Sequence, residues 1–168
     1  MPNEQETISV TEAQEKLLNY WHGHQRQCGC APRAAINPGH VRELLANISI
    51  VELSRSGSAT FRLAGSKLRD IVGTEARGRS VSTIQGGDLE PWCDAILSVL
   101  DARQAHAGIT ERGDELCHVW LRLPLLDSAG KLTQVMCHDE LISKNDLGKL
   151  KTREIAGLIP QQHTRYAA

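Results

Sequence analysis

Aromatic residues are scarce in this sequence: one Phe, two Tyr and three Trp among 168 residues. The core must therefore rest on Leu, Ile, Val and Ala, and a stacking platform for nucleic-acid bases lacks its material. No sign of charge dominates. Lys and Arg number 19 against 20 Asp and Glu, for a net charge of −1 and a pI near 6.6, which excludes a strongly basic DNA-binding domain. Long apolar runs are missing too, since no stretch approaches the roughly 20 apolar residues that span a bilayer. Glu4 and Glu6 precede the first basic residue, Lys16, the reverse of a secretory signal. These absences predict a cytoplasmic, soluble protein with no nucleic-acid and no membrane partner. The 40% hydrophobic content suffices for a core, and the length fits one domain with some excess at the ends.

The five cysteines (Cys28, Cys30, Cys93, Cys117 and Cys137) are an odd number in a chain large enough to fold without staples. They read as reduced thiols, two or three of them buried.

Residues 1–10 are polar and expected to be flexible. Thr11-Glu12-Ala13-Gln14 fits a capping box, and Ala13, Leu17, Leu18 and Trp21 recur at helical spacing behind it. The spacing predicts a helix to about residue 26, broken by Gly29 and Pro32. Asn37-Pro38 signals a second helix with Val41, Leu44 and Leu45 on its apolar face. Residues 11–46 thus form an N-terminal helical extension.

From residue 47 the period shortens. Ile48, Ile50 and Leu53 lead to the turn Arg55-Ser56-Gly57-Ser58, and Phe61 and Leu63 alternate on the return run. Leu68, Ile71 and Val72 suggest a short helix stopped by Gly73, and 74–87 read as irregular chain. Asp88 is the expected cap of a longer helix with Pro91 in its first turn and Trp92, Ile96, Val99 and Leu100 as its stripe. Strands are expected over 107–112, 116–126 and 131–142, the last two joined by the turn Asp127-Ser128-Ala129-Gly130. Strands and helices are segregated with no βαβ repeat, so the fold class is α+β with a five-stranded antiparallel sheet and helices on one face. The core spans 47–143. The tail, 144–168, carries five basic residues against two acidic ones and is expected to be a partly helical appendage.

Four features carry chemistry. Gly73-Thr74-Glu75-Ala76-Arg77-Gly78-Arg79-Ser80 imitates a phosphate-binding loop, but a helix precedes it where a strand belongs, so its glycines read as positive-φ turn residues. His22, His24, Cys28 and Cys30 supply four zinc-type donors at a spacing that does not suit zinc. Residues two apart on a helix diverge, and Cys28 and Cys30 have one residue between them. Cys117-His118 and Cys137-His138 lie on strands that should pair, with Cys117, Val119 and Leu121 inward, His118, Trp120 and Arg122 outward, and His138-Asp139-Glu140 expected at a solvated or interfacial edge. Arg33 and Arg62 are the charged residues of Ala31-Pro32-Arg33 and Phe61-Arg62-Leu63. Arg62 leaves the core face and can meet an acidic partner or a structural salt bridge.

The order β-β-helices-β-β-β resembles that of PAS domains. The sequence is most similar to the compact single-domain PAS proteins common in alphaproteobacteria. The likeness runs through Leu17-Leu18-Asn19-Tyr20-Trp21, Ala31-Pro32-Arg33, Ile36-Asn37-Pro38, Leu44-Leu45, Phe61-Arg62-Leu63-Ala64-Gly65-Ser66, Gly73 to Gly78-Arg79-Ser80, and Leu123-Pro124-Leu125. It covers about residues 15–142. The resemblance implies sensing or protein interaction in bacterial signalling without fixed catalytic residues. No flavin motif of the Asn-Cys-Arg-Phe-Leu-Gln type is present, and His106 is the one residue near the long helix placed for a haem, so no cofactor is assigned.

The expected function is a non-enzymatic sensor or adaptor that binds a small ligand, a signalling protein partner, or both. The ligand pocket would lie between the sheet and residues 66–106, lined by Leu68, Ile71, Val72, Trp92, Ile96, Val119, Leu121 and Val135. The interaction residues are Leu17, Leu18, Trp21, Arg33 and Arg62; the first three form a stripe suited either to a homodimer or to packing on the chain's own sheet. Two alternatives remain: a protein-interaction module with a filled core, and a metal- or redox-responsive protein using Cys28 and Cys30.

Overall fold

The computed structural model describes residues 7–84 and 90–154. The predicted capping box is present: Thr11 Oγ1 accepts from the Gln14 N–H, and Gln14 Oε1 accepts from the Thr11 N–H, both at 3.1 Å. It starts α1 (Glu12–His22), which ends some four residues before the expected stop. The Gly23-His24-Gln25-Arg26-Gln27 stretch offers no apolar side chain to continue the buried face, so the chain turns away.

Residues 7–10, expected to be flexible, form a strand, β1 (Thr7–Val10). After it come β2 (Ala31–Pro32), β3 (Ile48–Leu53), β4 (Ala59–Ala64), β5 (His106–Arg112), β6 (Leu116–Leu126), β7 (Leu132–Ser143) and β8 (Lys151–Glu154). Five strands form the expected antiparallel sheet in the order β4-β3-β7-β6-β5. Two features go beyond that expectation. β2 extends the sheet in parallel, Ala31 opposite Leu125, and β8 pairs antiparallel with β1 as a separate two-stranded sheet. The beginning of the basic tail is therefore a 3-10 turn (Lys144–Lys149) followed by a strand. Its Lys151 and Arg153 bind the Glu15 carboxylate of α1.

Both faces of the sheet are covered. On one, Leu121, Leu123, Leu125 and Met136 pack under Leu17, Leu18 and Trp21 of α1 and under Val41 and Leu44 of the 3-10 segment Pro38–Asn47. Gln14 Nε2 donates to the Val119 carbonyl (3.0 Å) and Trp21 Nε1 to the Pro124 carbonyl (3.1 Å), pinning α1 across β6. Leu17, Leu18 and Trp21 are thus spent on the chain's own sheet. They are at most 2% exposed, so this stripe is not a free dimer surface.

On the other face lie α2 (Leu68–Val72), α3 (Val81–Ile84) and α4 (Ala95–Ala102), the last preceded by a π-helical turn, Glu90–Asp94. Phe61, Leu68, Val81, Trp92, Ile96, Val99, Val135 and Cys137 form the second core cluster. The expected cap, Asp88, lies outside the described residues. Gly108 lets β5 approach the sheet's largest side chain: a Cβ there would sit 2.1 Å from Cζ2 of Trp120.

Candidate functional site

In a strand covered on both sides, alternation assigns residues to two buried faces instead of an inner and an outer one. This corrects the reading of β6. His118, Trp120 and Arg122, expected to point outward, are at most 1% exposed and face the α4 layer. There the Arg122 guanidinium is clasped from several sides. Nε donates to the Pro91 carbonyl (2.7 Å), Nη1 to the Leu121 carbonyl (3.0 Å) and Nη2 to Asp139 Oδ1 (2.8 Å). Its charge lies 4.3 Å from the centre of the Trp92 ring. The same Asp139 oxygen meets His118 Nε2 at 2.6 Å.

Burial alone would favour a neutral Asp139, but Arg122 and the His118 hydrogen bond outweigh it and hold the carboxyl below its ordinary value. Burial likewise works against the Arg122 charge, and Asp139 reverses that effect. Asp139 Oδ2 and His118 Nδ1 have no hydrogen-bond partner among the described residues. The Cys137 thiol on the same face is pushed up to about 12 by burial, so it stays protonated at neutral pH and cannot act as a thiolate nucleophile.

The eight expected pocket residues divide between environments. Leu68, Trp92, Ile96 and Val135 sit in the α4-side cluster with Val72 packed against it, and Ile71 is buried on α2. Val119 and Leu121 lie elsewhere: Leu121 is under the N-terminal cap, and Val119 packs with Ile109, Cys117, Ile142 and Leu147 at the far end of the sheet. Strand parity separates them from the α4 layer. The residues that share that layer with Trp92 are their neighbours His118 and Arg122. A cavity of about 150 Å³ opens at the layer's edge between Leu53, Ala59, Val81, Cys93, Ile96 and Leu97.

The remaining candidates are structural where they stand. Gly73 and Gly78 do have positive φ (78° and 80°), and a short helix, α3, follows the loop. The Gly78 N–H is used by the Phe61 carbonyl at 2.7 Å, so the loop flanks β4 instead of presenting a phosphate cradle. The Cys28–Cys30 turn docks on the end of α4, with Cys30 Sγ 3.9 Å from the Arg103 carbonyl. Burial, reinforced by Cys28, pushes the Cys30 thiol up to about 11. His22, His24, Cys28 and Cys30 are not gathered into a donor cluster among the described residues. His106 opens β5 opposite Arg122.

Arg62 makes a two-pronged contact with Glu52, Nη2 at 2.8 Å and Nε at 3.2 Å, which is the salt-bridge alternative for this residue. Glu52 also accepts from Gln134 Nε2 (2.9 Å); Gln134 first, then Arg62, hold its carboxyl below the usual range. Arg33 lies beside this pair, at the wall of an open trough of about 740 Å³. Three chain turns build it: the 3-10 turn Arg33–Ala35, the β3–β4 turn and the β6–β7 turn. Asp127 closes the last of these, its Oδ1 accepting from the N–H groups of Ala129 (2.9 Å) and Lys131 (3.0 Å) and its Oδ2 from Thr133 (2.9 Å). No sequence signal marked the trough, because its walls are far apart along the chain.

Among the described residues, no helix is long and apolar enough to cross a membrane. Compared with known proteins, residues 10–136 match the profile of the PAS domain. No curated protein matches the sequence closely. Among solved structures, the light state of the blue-light photoreceptor Aureochrome1 LOV is 14% identical, with a TM-score of 0.46, covering 65% of this chain and 91% of that one. The PAS domain of a protein from Colwellia psychrerythraea is 14% identical, with a TM-score of 0.41, covering 61% and 94%. The periplasmic domain of RsbU from Chlamydia trachomatis is 15% identical, with a TM-score of 0.41, covering 83% and 47%.

Proposed function

Since this chain belongs to the PAS-domain family, matched over residues 10–136, we propose that it is a non-catalytic sensor or adaptor of bacterial signal transduction, working through contact with a protein partner. The family is one of sensory domains, and the ordered motifs from Leu17 to Leu125 favour its compact alphaproteobacterial branch. The observation that carries the adaptor reading is the side-chain packing of the α4-side layer among the described residues. Trp92, Arg122, Asp139 and His118 pack there against one another, occupying with side chains the space where a ligand would lie between sheet and helices. Such a layer is stiff, and a stiff layer transmits a contact made at the surface to the opposite face. The signal then acts by favouring one of two arrangements of the domain, in proportion to its difference in affinity for them.

A second reading, a small apolar ligand, is favoured by the 150 Å³ cavity beside Cys93 and Leu97. Native mass spectrometry of protein purified without added cofactor separates the two. The adaptor reading expects only the mass of the chain or its multimers. A reproducible extra mass lost on denaturation would overturn it in favour of the ligand.

A further inference from the structure

The trough at the Arg33 end of the sheet has an uneven charge balance. Five charged side chains line it: Arg33, Arg55, Lys131, Glu52 and Asp127. Both carboxylates are already engaged, Glu52 with Arg62 and Gln134, and Asp127 with its own turn. The cations are not. Arg33 makes one long contact, 3.5 Å to the Ile36 carbonyl, and Arg55 and Lys131 make no side-chain hydrogen bond or ion pair among the described residues. Ala34 and Leu53 add an apolar floor between them.

We propose that this trough docks an acidic segment of a partner protein, its carboxylates held by Arg33, Arg55 and Lys131 and an aliphatic side chain laid on Ala34 and Leu53. This rests on the adaptor reading and names the chemistry of the partner. Three cations without a close carboxylate partner, against one carboxylate paired with Arg62 and one held ionised by its own turn, leave the trough net positive and complementary to clustered negative charge, which steers and orients an approaching partner. The trough is open to solvent, so it suits a peptide segment better than a small molecule, which is usually enclosed. No aromatic side chain lines it, which disfavours single-stranded nucleic acid.

The test is fluorescence anisotropy of a labelled synthetic peptide alternating Asp and Leu, titrated with the full chain. Its Lys–Leu counterpart, single-stranded RNA and anionic lipid vesicles serve as competing arms. The Asp–Leu peptide is expected to bind, more weakly as salt rises. The double variant Arg55→Glu/Lys131→Glu should lose about tenfold in affinity, and Arg77→Glu, on another surface, should lose none. Both substituted positions are exposed, and circular dichroism checks that the variant is folded. The proposal is overturned if the peptide fails to bind, if the double variant binds it equally well, or if RNA or vesicles bind in its place. A small molecule retained in the native mass spectrum would count against the adaptor reading alone, since this titration reads the trough directly.

Discussion

Arg122 reaches out of the middle of β6 and donates to the carbonyl of Pro91 at 2.7 Å, so one buried guanidinium ties the central sheet to the π-helical turn that starts α4. In a π turn the hydrogen-bond ladder is displaced and a carbonyl becomes available to an outside donor. Trp92, the next residue, covers the face of the same guanidinium.

That arrangement makes Asp139 the most damaging carboxylate to remove. Asp139→Ala leaves Arg122 charged, buried and short of its counter-ion, and should cost about 3–5 kcal/mol of stability in urea denaturation. Arg62→Ala breaks an exposed pair with Glu52 and should cost about 1 kcal/mol or less. Equal costs for the two would contradict the burial difference on which both estimates rest.

His138 predicts the pH dependence. It lies opposite Leu121 and Ile48, with neither ring nitrogen partnered among the described residues; burial, against a smaller upward pull from Asp139 and with a still smaller downward push from Arg122, brings its pKa down to about 4. An unfolded chain takes up this proton near pH 6.5, the native one only near 4. Stability is therefore fully present above about pH 6.5 and falls as pH drops toward 4, by about 3 kcal/mol in all. His138→Leu should flatten that slope in denaturation midpoints measured across the interval. Asp139, whose pKa is depressed, keeps its contribution through this window and loses it only below its ordinary value of 3.8.

Gly108→Ala would drive a methyl group into the Trp120 indole, whose hydrogen bond to Thr110 Oγ1 at 3.1 Å fixes its place. The ring must shift, and overpacking of this kind costs about 1–3 kcal/mol. A lowered thermal midpoint with a changed near-ultraviolet tryptophan signal is the expected pair of observations.

Thiol labelling should be staged. Cys28 is exposed, whereas Cys30, Cys117 and Cys137 are buried, with pKa values raised chiefly by burial. Mass spectrometry after brief alkylation at neutral pH should find Cys28 modified first and those three modified only after denaturation.

What the sequence revealed followed the range of its signals. Turn chemistry is local, so Asp127 to Gly130 and the Arg55-Ser56-Gly57-Ser58 hairpin could be placed from a few residues, as could the Thr11–Gln14 box. Strand parity was also legible, since Val119 and Leu121 do lie on the face opposite His118 and Arg122. Parity does not say whether the second face meets water, and so Arg122 and Asp139, expected at the solvent, are in fact buried. Its partnership with Asp139 depends on the β6–β7 register, where Trp120 stands opposite Asp139, and on side chains arriving from Pro91 and Trp92. The strand at Thr7–Val10 is not legible in the sequence because four residues carry little period of their own and its partner, Lys151–Glu154, lies far along the chain.

The pairing of Thr7 with Glu154 brings the two ends of the described chain to one point on the surface. A pull applied between them would load the β1–β8 ladder first, parting its hydrogen bonds one after another like a zip. The Glu15 contacts with Lys151 and Arg153 would resist next, before any force reached the five-stranded sheet. The same closure would let the fold be spliced into a longer polypeptide at a single position without stretching it.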